Sequence, residues 1–162
     1  MRDRILTALV LLACGGITSC TRAADDFQPE KIIAMERAAL DRWGNGDPAG
    51  YLEIYAPEVT YFDPAVERRV DGVEAMRKYL APFVGKIKIS RYDMIGPKVQ
   101  HHGDVAVLSF NLISYGKKPD GVEAALARWN STKVYCRIEG QWKIVHEHWS
   151  FIRPELKQPV GQ

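Results

Sequence analysis

Cysteine is scarce in this chain. Three occur in 162 residues, and Cys14 and Cys20 fall at the extreme N-terminal end, which leaves Cys136 alone. A single thiol closes no internal disulfide, and no Cys/His nucleophile arrangement gathers around it, so Cys136 reads as a small buried hydrophobe in mid-strand. Long apolar runs are missing too. The stretch from Ile5 to Ile17 is far shorter than the roughly 20 residues a spanning helix needs. Charge of one sign is not in excess either: the net charge is +2 and the Lys and Arg residues are dispersed, which excludes an electrostatic nucleic-acid footprint. There are no internal repeats and no low-complexity tract. What remains, 46% hydrophobic and 26% charged, is the composition of one globular domain.

The N-terminus reads as a targeting segment. Arg2 and Arg4 form a positive n-region ahead of the short apolar run, and Ile17-Thr18-Ser19-Cys20 resembles a bacterial lipobox, in which the Cys is acylated. A cut after Thr21-Arg22-Ala23 would instead release a soluble protein; both imply export. The expected division is a signal peptide of lipoprotein type over 1–20, a linker over 21–28, one domain over 29–153 and a tail over 154–162. The expected location is periplasmic or anchored to the outer membrane, with membrane contact only through a lipid on Cys20.

Past the linker, Gln28-Pro29-Glu30 opens a helix whose Ile32, Ile33, Met35, Glu36, Ala39, Leu40 and Trp43 are spaced for one face, and Gly44-Asn45-Gly46 stops it. Asp47-Pro48 starts a shorter helix through Tyr51 and Ile54 that ends by Pro57. Val59 to Phe62 is a brief strand. Asp71 and Glu74 have the spacing of a capping box for a third helix that ends by Pro82. From Gly85 the pattern is β throughout: Ile87 to Ile95, Lys98 to His102 beyond Gly96-Pro97, Val105 to Tyr115 after a Gly103-Asp104 turn, and a last hairpin. Helices followed by antiparallel strands predict an α+β fold, three N-terminal helices packed on one strongly curved, mostly antiparallel sheet shaped like a cone.

The last hairpin, Arg128 to Phe151, turns at Glu139-Gly140. Neither strand alternates cleanly, so the sheet should be covered on both sides. A two-residue loop puts Lys133 opposite His146; a three-residue loop pairs Lys133 with Val145, Ser131 with Glu147 and Trp129 with Trp149. A slip of one residue exchanges the faces.

The order αααββββ, with Asn45-Gly46-Asp47, Thr60 to Pro64, Val70 to Gly72, Pro97 to Phe110 and Ser131 to Ser150, resembles the nuclear transport factor 2-like superfamily. Within it the likeness is greatest to the association, or hub, domain of calcium/calmodulin-dependent protein kinase II and its stand-alone bacterial relatives, over about residues 30 to 151. The chain carries neither a kinase domain nor a calmodulin-binding segment, so those roles do not transfer. The resemblance implies a cone pocket similar to a small-anion site built from arginines, at positions that here hold Asn111, Lys133 and Trp149. All three share a face under the three-residue loop, which favours that register and adds Glu147. One Lys and one Glu beside an aromatic plane would hold a carboxylate less tightly than an arginine cluster.

Asp63-Pro64 lies where ketosteroid isomerase, another member of the superfamily, carries its proton-abstracting carboxylate. That enzyme's other donors fall here at Ala39 and near Val134, so its oxyanion hole is missing and steroid isomerase chemistry is not expected. Asp63 also reads as a turn carboxylate that bonds nearby backbone N–H groups. His146 and His148 share a strand face, yet two imidazoles are too few for a metal site, and no metal or other cofactor is expected. The resulting expectation is an exported small-molecule-binding protein, acting if an enzyme as a cofactor-free lyase or isomerase. Asp63 would be the base, Lys133 the electrostatic stabiliser, and Asn111 and Tyr135 the orienting donors. Tyr61, Glu147 and Trp149 would line a pocket for a small, anionic ligand. The alternative is a non-catalytic self-association module. Under either reading the chain should be a homo-oligomer, at least a dimer.

Overall fold

The computed structural model describes residues 27–153, so the leader with Cys20, most of the linker and the tail lie outside the described residues. Helix α1 (Pro29–Gly44) begins with Pro in its first turn and buries Ile32, Glu36, Ala39, Leu40 and Gly44. The chain then reverses through Gly46, whose positive φ of 78° suits only glycine and whose missing side chain lets Gly85 approach. Helix α2 (Ala49–Ile54) follows, with the Asp47 carboxylate accepting from the Ala49 N–H at 3.0 Å. Helix α3 (Val73–Leu80) runs into a 3-10 turn at Ala81–Phe83. Its N-cap is Gly72 with no side-chain cap, so the expected Asp71–Glu74 box does not form; Asp71 is drawn away by the Arg69 guanidinium.

The strands are β1 (Tyr55–Phe62), β2 (Val70–Asp71), β3 (Arg91–His102), β4 (Val105–Lys117), β5 (Glu123–Ile138) and β6 (Gln141–Phe151). They form one sheet in the order β2-β1-β6-β5-β4-β3, antiparallel except for the parallel pair β1 and β6. The expected α+β architecture is the observed one. Gly96-Pro97 does not divide two strands; it is a bulge within β3, where the pairing with β4 shifts between Ile95 and Lys98. The helices cover one face of the sheet. Ala106, Leu108, Phe110, Leu112, Tyr135 and Ile144 point to them and join Ile32, Leu40, Val59, Met76 and Leu80 in one core.

The register of the last hairpin matches neither expected alternative. Glu139 and Gly140 have φ of 50° and 78°, a two-residue turn of the I′ kind, and Tyr135 pairs with Ile144 accordingly. Val145 is then bulged out, so that Val134 faces His146 and Lys133 faces Glu147. The three-residue loop is corrected to a tight turn plus a bulge three residues beyond Trp142. One extra residue reverses the alternation along β6: Trp142 and Ile144 point inward before it, Glu147 and Trp149 after it.

Glu139 occupies a left-handed conformation that Asn tolerates far better. Replacing Glu139 by Asn is expected to stabilise the protein by about 1 kcal/mol, read as a higher urea midpoint with an unchanged slope.

Candidate functional site

Inside the cone lies a charged cluster sealed from solvent. Lys133 and Glu36 are 0% exposed and Glu147 1%, so none of them borders a space that water can enter. Lys133 reaches the cluster from the middle of β5, Glu147 from the facing position on β6, and Glu36 from the buried stripe of α1. The Lys133 Nζ donates to Glu147 Oε1, stands 3.5 Å from Glu36 Oε1, and lies 3.9 Å from the centre of the Trp149 ring. The Trp149 indole N–H donates to Glu147 Oε1, and the Tyr55 hydroxyl donates to Glu147 Oε2 at 2.6 Å. Glu36 is held likewise, by Tyr51 at 2.8 Å and Tyr135 at 3.0 Å. Every carboxylate oxygen in the cluster therefore has a donor, as burial demands.

One ammonium stands among two carboxylates, and burial decides how they share charge. Desolvation raises Glu36 above its ordinary value, against the lowering pull of Lys133, while the charge on Glu147 adds to the rise. Burial therefore makes Glu36 hold its proton more firmly than a free carboxyl does, while Glu147 makes the direct contact with the Lys133 ammonium. Burial and the neighbouring carboxylates also push Tyr51, Tyr55 and Tyr135 well above the usual phenol range, so all three remain donors.

Lys133, Tyr135, Glu147 and Trp149 thus lie together on the inner face. Tyr61 and Asp63 form a separate group with Tyr79. Both tyrosines donate to Asp63 Oδ2, at 2.6 and 2.8 Å, while Oδ1 accepts the backbone N–H groups of Ala65 and Val66 at 2.6 and 3.2 Å. With two donors on each oxygen, Asp63 has no acceptor position left for a substrate proton and is spent on holding its turn. The base role does not fit that geometry. Asn111 is outside the cone altogether. Even-numbered residues of β4 face the helices, and Asn111 points the other way, donating to Asn130 at 2.7 Å. The pocket position expected for Asn111 is corrected accordingly.

Three members of the cluster escape a reading of the sequence as pattern: Glu36, Tyr51 and Tyr55. Glu36 did carry a signal, since it sits within the apolar stripe between Ile32 and Leu40, where an unpaired carboxylate would be costly.

Among the described residues the helices leave the opposite face of the sheet bare. Thr60 and Phe62 on β1 lie beside His146 and His148 on β6. A groove of about 480 Å³ runs there, lined among others by Phe62, Pro64, His146, His148, Phe151 and Arg153. Partial burial and the neighbouring His148 lower the His146 imidazole.

A family model for the calcium/calmodulin dependent protein kinase II association domain matches residues 28–152. The chain is similar to the calcium/calmodulin-dependent protein kinase type II alpha chain of Drosophila melanogaster, 26% identical over 137 residues that cover 82% of this chain and 25% of that one. It therefore spans about a quarter of the length of the curated relatives it matches, 25% and 23%. Among solved structures it is similar to a candidate ketosteroid isomerase from Parabacteroides distasonis, at 36% identity and a TM-score of 0.69, covering 83% of this chain and 95% of that one. It is also similar to the association domain of C. elegans CaMKII, at 24% identity and a TM-score of 0.65, covering 75% and 93%. This last likeness speaks for the fold alone.

Removing one partner of the buried pair should be costly. Lys133→Met is expected to destabilise the protein by about 3–5 kcal/mol, and Lys133→Met with Glu147→Gln to recover most of that, because Gln removes the charge, its oxygen still accepts from Trp149, and its NH2 donates to the Tyr55 hydroxyl, which can accept as well as donate. Urea titration of the single and double variants measures the coupling. A pH series tests Glu36. The folded chain keeps its proton at pH values where the unfolded chain, with the ordinary value of 4.5, has released it. The contribution of Glu36 to stability is full below that value and declines as pH rises through the interval up to the raised folded value. Glu36→Gln should flatten this decline.

Proposed function

The chain belongs to the calcium/calmodulin dependent protein kinase II association domain family, and from that premise we propose that it is a self-associating, non-catalytic module that pairs with further copies through the bare face of its sheet. One observation carries the reading. The inner face is closed by its own side chains, while the outer face, uncovered among the described residues, presents apolar groups at mid-sheet and at its margins. Val107 and Val134 sit near the centre of that face on β4 and β5, and Phe62, Ile95 and Val105 remain 37%, 47% and 36% exposed. Interspersed Thr60, Thr132, Asn111 and Asn130 give the mixed polar and apolar character of a protein interface rather than of a core. A sheet with helices on one side only buries its second face most simply against an identical sheet, in a two-fold contact.

A second reading, a small-molecule binder, is supported by Ser131. Its hydroxyl is buried on the inner face beside Lys133 and has no hydrogen-bond partner among the described residues. The cluster already balances its one ammonium, so a neutral polar molecule suits this position better than the anion that the family resemblance implies. Export remains part of the proposal, supported by Arg2, Arg4, the apolar run and Cys20.

Light scattering on the full chain at micromolar concentration should give at least twice the single-chain mass of 18.3 kDa. Val107→Glu should bring it to the mass of one chain with the circular dichroism spectrum retained. A strictly single-chain mass for the wild type would remove the association reading, and native mass spectrometry of the same sample would show any co-purified small molecule.

A further inference from the structure

We propose that His146 and His148 form half of a transition-metal site, which the same two residues of a second copy of this chain complete. This inference rests on the outer-face association proposed above. The bulge at Val145 turns both histidines outward, two residues apart on one strand, so their Cα atoms are separated by about 6.5–7 Å. Imidazoles at that spacing can converge on one ion.

Thr60 orients His146. Its hydroxyl lies 3.3 Å from the carbonyl of the bulged Val145 and 2.8 Å from His146 Nδ1. In the tautomer with the ring proton on Nδ1, Thr60 accepts from the ring and gives its own proton to the carbonyl, and the Nε2 lone pair is directed away from Thr60, the arrangement in which a second group holds a metal-binding imidazole. His148, exposed next to it, makes no hydrogen bond among the described residues. The Phe62 ring packs against both imidazoles at 6.4 and 6.0 Å and supplies an apolar shell. Arg69, on the β2 side, is paired with Asp71, which offsets part of the repulsion its charge exerts on a cation at His146.

Within one chain the donor set is incomplete, since the described residues hold no group of three or more His, Cys, Asp or Glu suited to a metal. A two-fold contact presents the same patch twice, and His146 is the cross-strand neighbour of Val134 at the centre of the proposed contact. With the axis passing beside His146, four imidazoles surround one position, a set that fits tetrahedral zinc or cobalt and is too soft and neutral for calcium or magnesium.

The test uses the full chain without a histidine tag. Cobalt(II) should give the intense visible bands of a tetrahedral complex, saturating at one ion per two chains. Zinc at that ratio should tighten the dimer at least tenfold in sedimentation equilibrium, and EDTA should reverse it. His148→Ala should abolish both effects. Thr60→Val should weaken metal affinity by roughly 10–100-fold, and Thr60→Ser, which keeps the hydroxyl, should restore it. A dimer whose association is the same with zinc and with EDTA, or one ion per chain without change of mass, overturns the metal site and leaves the association reading intact. A single-chain mass under every condition overturns both.

Discussion

The structure turns on an ammonium group that has no contact with water. Lys133 lies in mid-strand at 0% exposure, and leaving the buried pair with one uncompensated charge would cost about 3–5 kcal/mol, a large part of a domain's typical stability of about 5–15 kcal/mol. Its partners must arrive from other elements. Glu147 requires β6 to pair with β5 in one register, Glu36 requires α1 to lie across that part of the sheet, and Tyr51 and Tyr55 require α2 to lead straight into β1. A change in any of these placements leaves a buried charge or hydroxyl unsatisfied. Apolar packing drives the collapse, and this cluster selects one arrangement of helices over the sheet among several that would bury similar area.

The bulge at Val145 is the device that makes the pairing available. The tight Glu139-Gly140 turn sets the pairing near the hairpin end, and in that register alone Lys133 would stand opposite His146. Both histidines would then be drawn into the cone and Glu147 driven to the outer face. One extra residue resolves the conflict between turn chemistry and the needs of the core. Its freed carbonyl is taken up by Thr60. The same residue therefore sets the contents of the interior and the chemistry of the exterior, so the polar core and the association face are not independent features of the sequence.

Much of the fold was legible because its signals are local. Pro29, the Gly44 to Gly46 stop, the Asp47 carboxylate and the Gly103 and Gly140 turns each act within a few residues, and the helices and strands follow from them. The bulge was not legible, since it is imposed by the partner strand and leaves no composition of its own. The Asp71–Glu74 spacing misled for a related reason: Arg69 competes for Asp71, and only the folded turn brings that competitor within 2.5 Å. Asn111 was placed by resemblance to an arginine of other chains, and strand parity in this chain sends it outward. Lys133 with Glu147 was recognisable as a pair because a central strand gives a Lys only a cavity or a face to occupy. Glu36 has the helical spacing of an apolar stripe, and spacing alone does not separate it from Ile32 and Leu40.

Charge bookkeeping within the cone decides what it can admit. Two carboxylates already share one ammonium, so the cluster has no positive charge to spare. A carboxylate or phosphate entering beside Lys133 would have to displace Glu147 or add an uncompensated negative charge in a region of low dielectric. An arginine-lined cone faces the opposite condition, with positive charge in excess and an anion needed to balance it. With Trp149 at a position where the family resemblance implies an arginine, and with Lys133 already paired to Glu147, this interior is complete without an anion. A chain that has closed its interior in this way retains the outer face of its sheet as the surface on which other molecules can act, and on that face the exposed groups are apolar residues and imidazoles.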